Sequence, residues 1–281
     1  MTQPTEAITQ PTRGGQSFIP REHGATAMLL LPFLSAAVLL RQVRWPEVVV
    51  LLAIVCAFAI KDPLIVLARQ RLVWKQPHAE TKAAKQWAAI ELLLLAACGI
   101  ALLLTPAWRS FALLFLGASA FTVLAVMINV RNRQRSEWFQ VASAVALSAT
   151  SMAACLSVKG SIAGWCWLLW LLSALQATAG IFVVHARLDA RIAARKGGAA
   201  GAASRRPAFL CQAALIIAAA CFAYLGRHWI SAALMLVAAC YLWELRRQRD
   251  ATSLQMPLKR VGQQALALSS LYAVLVVIGL W

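Results

Sequence analysis

From residue 24 onward the chain alternates long apolar runs with short polar joins, and most of the runs exceed the length of a soluble strand or an amphipathic surface helix. Nine helices are predicted, near residues 24–40, 46–68, 84–104, 108–128, 138–158, 161–186, 207–225, 228–245 and 262–281. About 17–25 apolar residues in helical form cross a hydrocarbon core. A helix also satisfies its own backbone hydrogen bonds, which an open sheet edge in lipid cannot do. The pattern therefore predicts an all-α fold: a polytopic membrane helix bundle of about nine transmembrane helices.

Composition excludes the soluble alternative. Of the 281 residues, 61% are hydrophobic and 13% charged, with a mean hydropathy of +0.71, where a soluble domain is roughly half apolar. The seven cysteines, at 56, 98, 155, 166, 211, 221 and 240, lie within or at the edges of the apolar runs without a close Cys-x-x-Cys pair. They read as small apolar filler, and neither a disulfide framework nor a metal site is expected. Residues 1–22 form a polar N-terminal tail without an apolar run of their own, so no cleaved secretory signal is predicted.

Charge sets an orientation. Of the 27 Lys and Arg, 22 fall on one side of the drawn topology, in the tail and alternate joins, while the other side carries Arg41, Arg44, Arg109, Lys159 and Arg227. Short cytoplasmic loops carry the positive excess, which predicts an N-terminus in and a C-terminus out. The tryptophans follow the same drawing: Trp45, Trp108, Trp165, Trp229 and Trp281 mark one interface, and Trp74, Trp87, Trp138 and Trp243 the other. The net charge of +17 is spread over these joins without a nucleic-acid-binding motif, so the expected partners are membrane lipids and not nucleic acid. The stretch 194–207, ARKGGAAGAASRRP, reads as a flexible cytoplasmic linker inside a single transmembrane domain spanning 23–281.

Four polar clusters fall at the predicted cytoplasmic helix ends. In PREHG, Pro20 suits a helix start, Glu22 sits favourably against the positive end of the helix dipole, and Arg21 and His23 flank it. In KDPLIVLARQR, Lys61 and Asp62 interrupt the second span two turns before Arg69, and Pro63 loosens the helix between them. Ionisable groups at membrane depth are costly and face a partner or a wet cavity. Asn129 and Arg133, four apart, share a face as the fourth span ends, and in HARLDAR the i,i+4 pairs are His185 with Asp189 and Arg187 with Arg191. Helices one, two, four and six converging there would line one polar pocket with His23, Lys61, Asp62, Asn129, Arg133, His185 and Asp189. Arg69 and Arg187 would stand at its mouth. Glu91, Gln140 and Gln176, polar within spans, are candidates for interhelical hydrogen bonds.

PREHGATAMLLLPF near the start, KDPLIVLARQR at the end of the second span and PLKRVG at 257–262 together resemble the YwiC-like family of bacterial membrane proteins. The resemblance implies a multi-pass protein of the bacterial cytoplasmic (inner) membrane and names no activity. In layout, nine helices with polar motifs ending helices two and six are also similar to UbiA-type prenyltransferases. That resemblance implies aspartate-rich motifs holding Mg²⁺ on an isoprenoid diphosphate. This chain departs from it with a single aspartate at each position, Asp62 and Asp189, surrounded by basic residues. No cofactor is therefore expected, and Mg²⁺ only if the protein is transferase-like. Guanidinium and ammonium groups grip phosphate without a metal. The expected ligand is an anionic lipid or isoprenoid diphosphate in an inner-leaflet pocket, with a prenyltransferase-like enzyme and a small-molecule transporter as alternatives.

Overall fold

A computed structural model describes residues 23–76, 80–131, 136–196 and 202–281. Among them are twelve α-helices and no strand. They are α1 (His23–Leu40), α2 (Trp45–Ala59), α3 (Lys61–Arg69), α4 (Thr81–Leu103), α5 (Trp108–Val130), α6 (Glu137–Ser148), α7 (Thr150–Lys159), α8 (Gly164–Arg195), α9 (Ala202–Tyr224), α10 (His228–Arg247), α11 (Ala251–Leu254) and α12 (Leu258–Leu280). Eight helical stretches of the described residues are long and apolar enough to cross a membrane, and the ninth expected span is the shorter apolar helix Gly24–Leu40. The chain is an all-α, polytopic helix bundle.

Two of the eight stretches are interrupted. Trp45–Trp74 consists of α2, α3 and a wider π-helical turn over Gln70–Trp74. Pro63 causes the α2–α3 break: lacking an N–H, it cannot close on the carbonyl four residues back, that of Ala59. Lys61 and Asp62 therefore open a new helix well inside the span instead of ending the old one. The second interruption separates α6 from α7 at Ala149, where Ser148 Oγ donates to the Ala144 carbonyl at 2.8 Å and Ser151 Oγ to the Ser148 carbonyl at 3.1 Å. Hydroxyls that bond back into their own helix bend it. Thr150 Oγ1, between them, donates across to the Leu29 carbonyl of α1 at 2.7 Å, next to the turn that Pro32 deprives of an N–H. α7 ends at Gly160, whose φ of 71° is the left-handed conformation that suits glycine at a helix terminus.

α8 is the central helix, 32 residues long, in contact with α1, α6, α7, α9, α10, α11 and α12. α2 and α3 pack on α4, and α3 also packs on α5. Cys56 lies in the neighbourhood of Cys98 and Glu91, and Asp62 in that of Glu91, an antiparallel register between α2–α3 and α4. The linker expected over 194–207 is bounded more tightly: α8 reaches Arg195 and α9 opens at Ala202.

The two ends of the bundle differ. At one, the Arg41 guanidinium stacks 3.7 Å from the Trp281 ring, and Arg227 reaches the Gly279 carbonyl. The other, here the basic end, carries Arg69, Arg187, Arg205 and Arg247 with their partners.

Candidate functional site

The bundle holds a half-open cavity of about 1530 Å³ lined by α1, α2, α5, α6, α8, α10 and α12, with single wall residues from α3 and α4 and two from α7. Its walls are mostly apolar, among them Met28, Phe58, Phe115, Phe121, Leu147 and Leu268. Small side chains leave the space open: Gly24, Ala25, Gly117, Ala118, Ser143, Ala177 and Gly180 all stand on the wall. The polar groups on the wall gather at two depths.

Midway along α8, Gln176 Nε2 donates to Tyr241 Oη at 3.1 Å and to Ser269 Oγ at 3.0 Å. Tyr272 Oη donates to the Leu172 carbonyl at 3.0 Å. These bonds tie α8, α10 and α12 together across apolar surroundings, where an unmade hydrogen bond costs most. Gly180 is required beside them, because a Cβ there would lie 2.7 Å from Tyr241 Oη.

At the basic end Lys61, Asn129, Glu244 and Arg247 stand on the cavity wall. Lys61 Nζ is 3.9 Å from the Asp62 carboxylate, with the two side chains 19% and 31% exposed, and 5.0 Å from the centre of the Phe58 ring. Lys61, the residue before it in sequence, thus gives Asp62 an ion-pair partner. Arg69 Nη2 donates to the Asn129 carbonyl at 3.0 Å and joins α3 to α5, while the Asn129 amide turns back to the Ala125 carbonyl at 2.9 Å.

The HARLDAR cluster is arranged differently from the i,i+4 expectation. His185 Nε2 lies 2.9 Å from Gln140 Oε1, and its Nδ1 lies 3.8 Å from Glu137, so the ring faces α6 and not Asp189. Asp189 forms no ion pair with a described residue. Arg187 was expected at the mouth of a pocket, yet it is 2% exposed. It bonds Glu244 of α10, and through Nη2 the Ser253 carbonyl of α11 at 2.6 Å. Three helices meet around it, and sequence spacing within α8 carries no trace of that meeting.

Of the sequence candidates, Lys61 and Asn129 line the cavity; Asp62, Arg69, His185, Arg187 and Asp189 do not. Arg21, Glu22 and Arg133 lie outside the described residues, and of His23 only its backbone position, opening α1, is described. Sequence reasoning missed Glu244 and Arg247. Their signal was a charge spacing of three, Glu244 to Arg247, which puts both on one face of α10. Among the described residues no group of three or more His, Cys, Asp or Glu side chains is placed to hold a metal ion, and Asp62 has the Lys61 ammonium beside it.

Long apolar helices, a polar interlock at membrane depth and a basic end define a multi-pass membrane protein. It is similar to the YwiC-like family over just under half of its length: residues 19–155, from ahead of α1 into α7, match the family model described as YwiC-like protein. No curated protein and no solved structure matches the chain.

Proposed function

We propose that this is a protein of the bacterial cytoplasmic membrane, N-terminus in and C-terminus out, that binds an amphiphile with an anionic head: an anionic lipid or an isoprenoid diphosphate. The observation that carries the reading is the cavity of about 1530 Å³, apolar over most of its wall with Lys61 and Arg247 at the basic end. A hydrocarbon or isoprenoid chain suits such walls, since burying apolar area is favourable at about 25 cal/mol per Å². A phosphate or carboxylate head suits the two cations and the Asn129 amide, which bind it without a metal. The excess of Lys and Arg in the joins at that end supports its cytoplasmic sidedness.

Mass spectrometry of the lipids and isoprenoids that co-purify in mild detergent tests the reading. Enrichment of one anionic amphiphile over the bulk membrane extract is expected, and a co-purifying pool identical to bulk lipid overturns it. Thermal unfolding with a short isoprenoid diphosphate separates the chemistries: stabilisation without Mg²⁺ supports metal-free binding, and stabilisation only with Mg²⁺ supports a prenyltransferase-like site.

A second reading, transport of a small molecule, is supported by the interruptions at Ile60 and Ala149. Broken spans beside a central cavity are the means by which transporters expose backbone and charge to a substrate.

A further inference from the structure

The amide of Gln176 and the hydroxyls of Tyr241 and Ser269 meet on the cavity wall, bonded at 3.1 and 3.0 Å. Together they carry four polar hydrogens, two on the amide and one on each hydroxyl. The two bonds use two of these, and two remain whichever way the amide is turned. With Gln176 Nε2 donating to both oxygens, the remaining hydrogens belong to Tyr241 and Ser269. Neither hydroxyl donates to a described residue. Tyr272, also on the wall, is the contrast, because its Oη has the Leu172 carbonyl as acceptor. Gln176 is 8% exposed and Tyr241 7%, and an O–H among apolar groups is costly unless an acceptor meets it. The cluster is therefore a donor site, and it opens on the cavity.

Depth narrows the class of acceptor. Tyr241 precedes Arg247 by six residues on α10, about 9 Å along the axis, and both stand on the wall. Glu244, between them in sequence, has its charge met by Arg187. On the far side of the cluster from Arg247, the wall continues with Leu169 of α8 and Val276 of α12. The order along the cavity is a cation, two uncharged donors, then hydrocarbon side chains. A glycerophospholipid presents its groups in the same order: phosphate, ester carbonyls one glycerol unit further, then acyl chains. An isoprenoid diphosphate carries no oxygen beyond its head and would lay C–H groups on both donors.

We propose that Tyr241 and Ser269, held by Gln176, form a subsite for the ester carbonyl of an anionic diacyl glycerophospholipid whose phosphate lies at Arg247. The inference rests on the reading of the cavity as a site for an anionic amphiphile and decides between its two chemistries. The carbonyl oxygen has two lone pairs and accepts from both hydroxyls. Gln176 is a positioning residue: it bonds the two oxygens from α8 and leaves their hydrogens for the ligand. Gly180 sets how closely Tyr241 approaches α8, since a Cβ there would lie 2.7 Å from Oη. The acyl chains run on past Leu169 and Val276.

Thermal unfolding of the full chain in detergent tests the subsite when titrated with ester-linked dioleoyl phosphatidylglycerol and with its dialkyl ether analogue. The two lipids share head and chain length and differ in the carbonyls. The wild type is expected to bind the ester about tenfold more tightly, the worth of one or two hydrogen bonds. In Tyr241→Phe and in Ser269→Ala that preference should fall several-fold, with the affinity for the ether lipid retained. Comparing two lipids on one protein cancels the variant's own loss of stability. Equal binding of ester and ether by the wild type overturns the subsite and leaves the anionic-amphiphile reading standing, even if a variant fails to fold. A preference that survives both substitutions overturns it equally. If neither lipid binds more tightly than phosphatidylcholine, the reading itself falls and the subsite with it.

Discussion

The Arg187 guanidinium bonds the Glu244 carboxylate and the Ser253 carbonyl at once, so that one buried side chain joins α8 to α10 and α11. Glu244 also stands on the cavity wall, and the pair therefore couples the basic-end closure of the bundle to the cavity. Arg187→Met leaves Glu244 without its cation and is expected to destabilise the protein by about 3–5 kcal/mol. The double variant Arg187→Met with Glu244→Leu should recover a large part of that loss. Unfolding in detergent, followed by circular dichroism, measures both; equal losses in single and double variants would show that the pair is not a unit.

Gly180 and Tyr241 make a second coupled pair. A methyl group at 180 would meet Tyr241 Oη at 2.7 Å and its Cζ at 3.4 Å, and the tyrosine is held by Gln176. Gly180→Ala should cost about 1–3 kcal/mol by overpacking. Adding Tyr241→Phe to that variant removes the clashing oxygen, so the second substitution should be less harmful in the Gly180→Ala background than in the wild type. A double-mutant cycle with no interaction energy would refute the contact.

Lys61 and Asp62 are partners at 3.9 Å with partial exposure, so their stake is smaller. Asp62→Leu should cost about 1–3 kcal/mol by removing the carboxylate of this ion pair at the cavity wall. Lys61→Met with Asp62→Leu should be milder than Asp62→Leu alone. Thermal unfolding in the same detergent decides it, and a double variant worse than both singles would point to a third partner for each.

If an amphiphile fills the cavity, head and tail are separable. Lys61→Met is expected to lower the amount of anionic amphiphile that co-purifies, several-fold, with the protein still eluting as a folded species. Ser173→Phe, on the apolar wall of α8, should reduce retention of the tail whatever the head. Lipid content unchanged in both variants would mean that the cavity is not the binding site.

The orientation predicts the behaviour of reporter fusions. Alkaline phosphatase joined after Gly201 should be inactive and a fluorescent cytoplasmic reporter there bright, with the reverse after Trp281. An active phosphatase at Gly201 would invert the topology.

Much of the fold is legible along the chain because its cause is local. Apolar length makes a span, Pro63 breaks α2 from α3, and Gly160 ends α7, each acting on backbone within a few residues of itself. Gln140 and Gln176 were legible as interhelical donors or acceptors, since an amide in an apolar run has to find a partner. The partner itself was not legible: that Gln140 meets His185 and Gln176 meets Tyr241 and Ser269 is settled by packing.

The sequence by itself determined an all-α membrane bundle, the number and order of its apolar helices, the break at Lys61–Asp62 and the segregation of basic residues into alternate joins, because these follow from composition and from interactions within a turn or two. Only the tertiary structure decided that Arg187 is buried on Glu244, that His185 turns to α6 instead of Asp189, that α3 packs on α4 and α5, and that small residues from seven helices leave a cavity with Lys61 and Arg247 on its wall. Spacing of three or four tells which residues share a helical face. It carries no information about which helix that face meets, since helices apolar on nearly every side, packed in lipid, choose neighbours by shape and by a few polar contacts far apart in sequence.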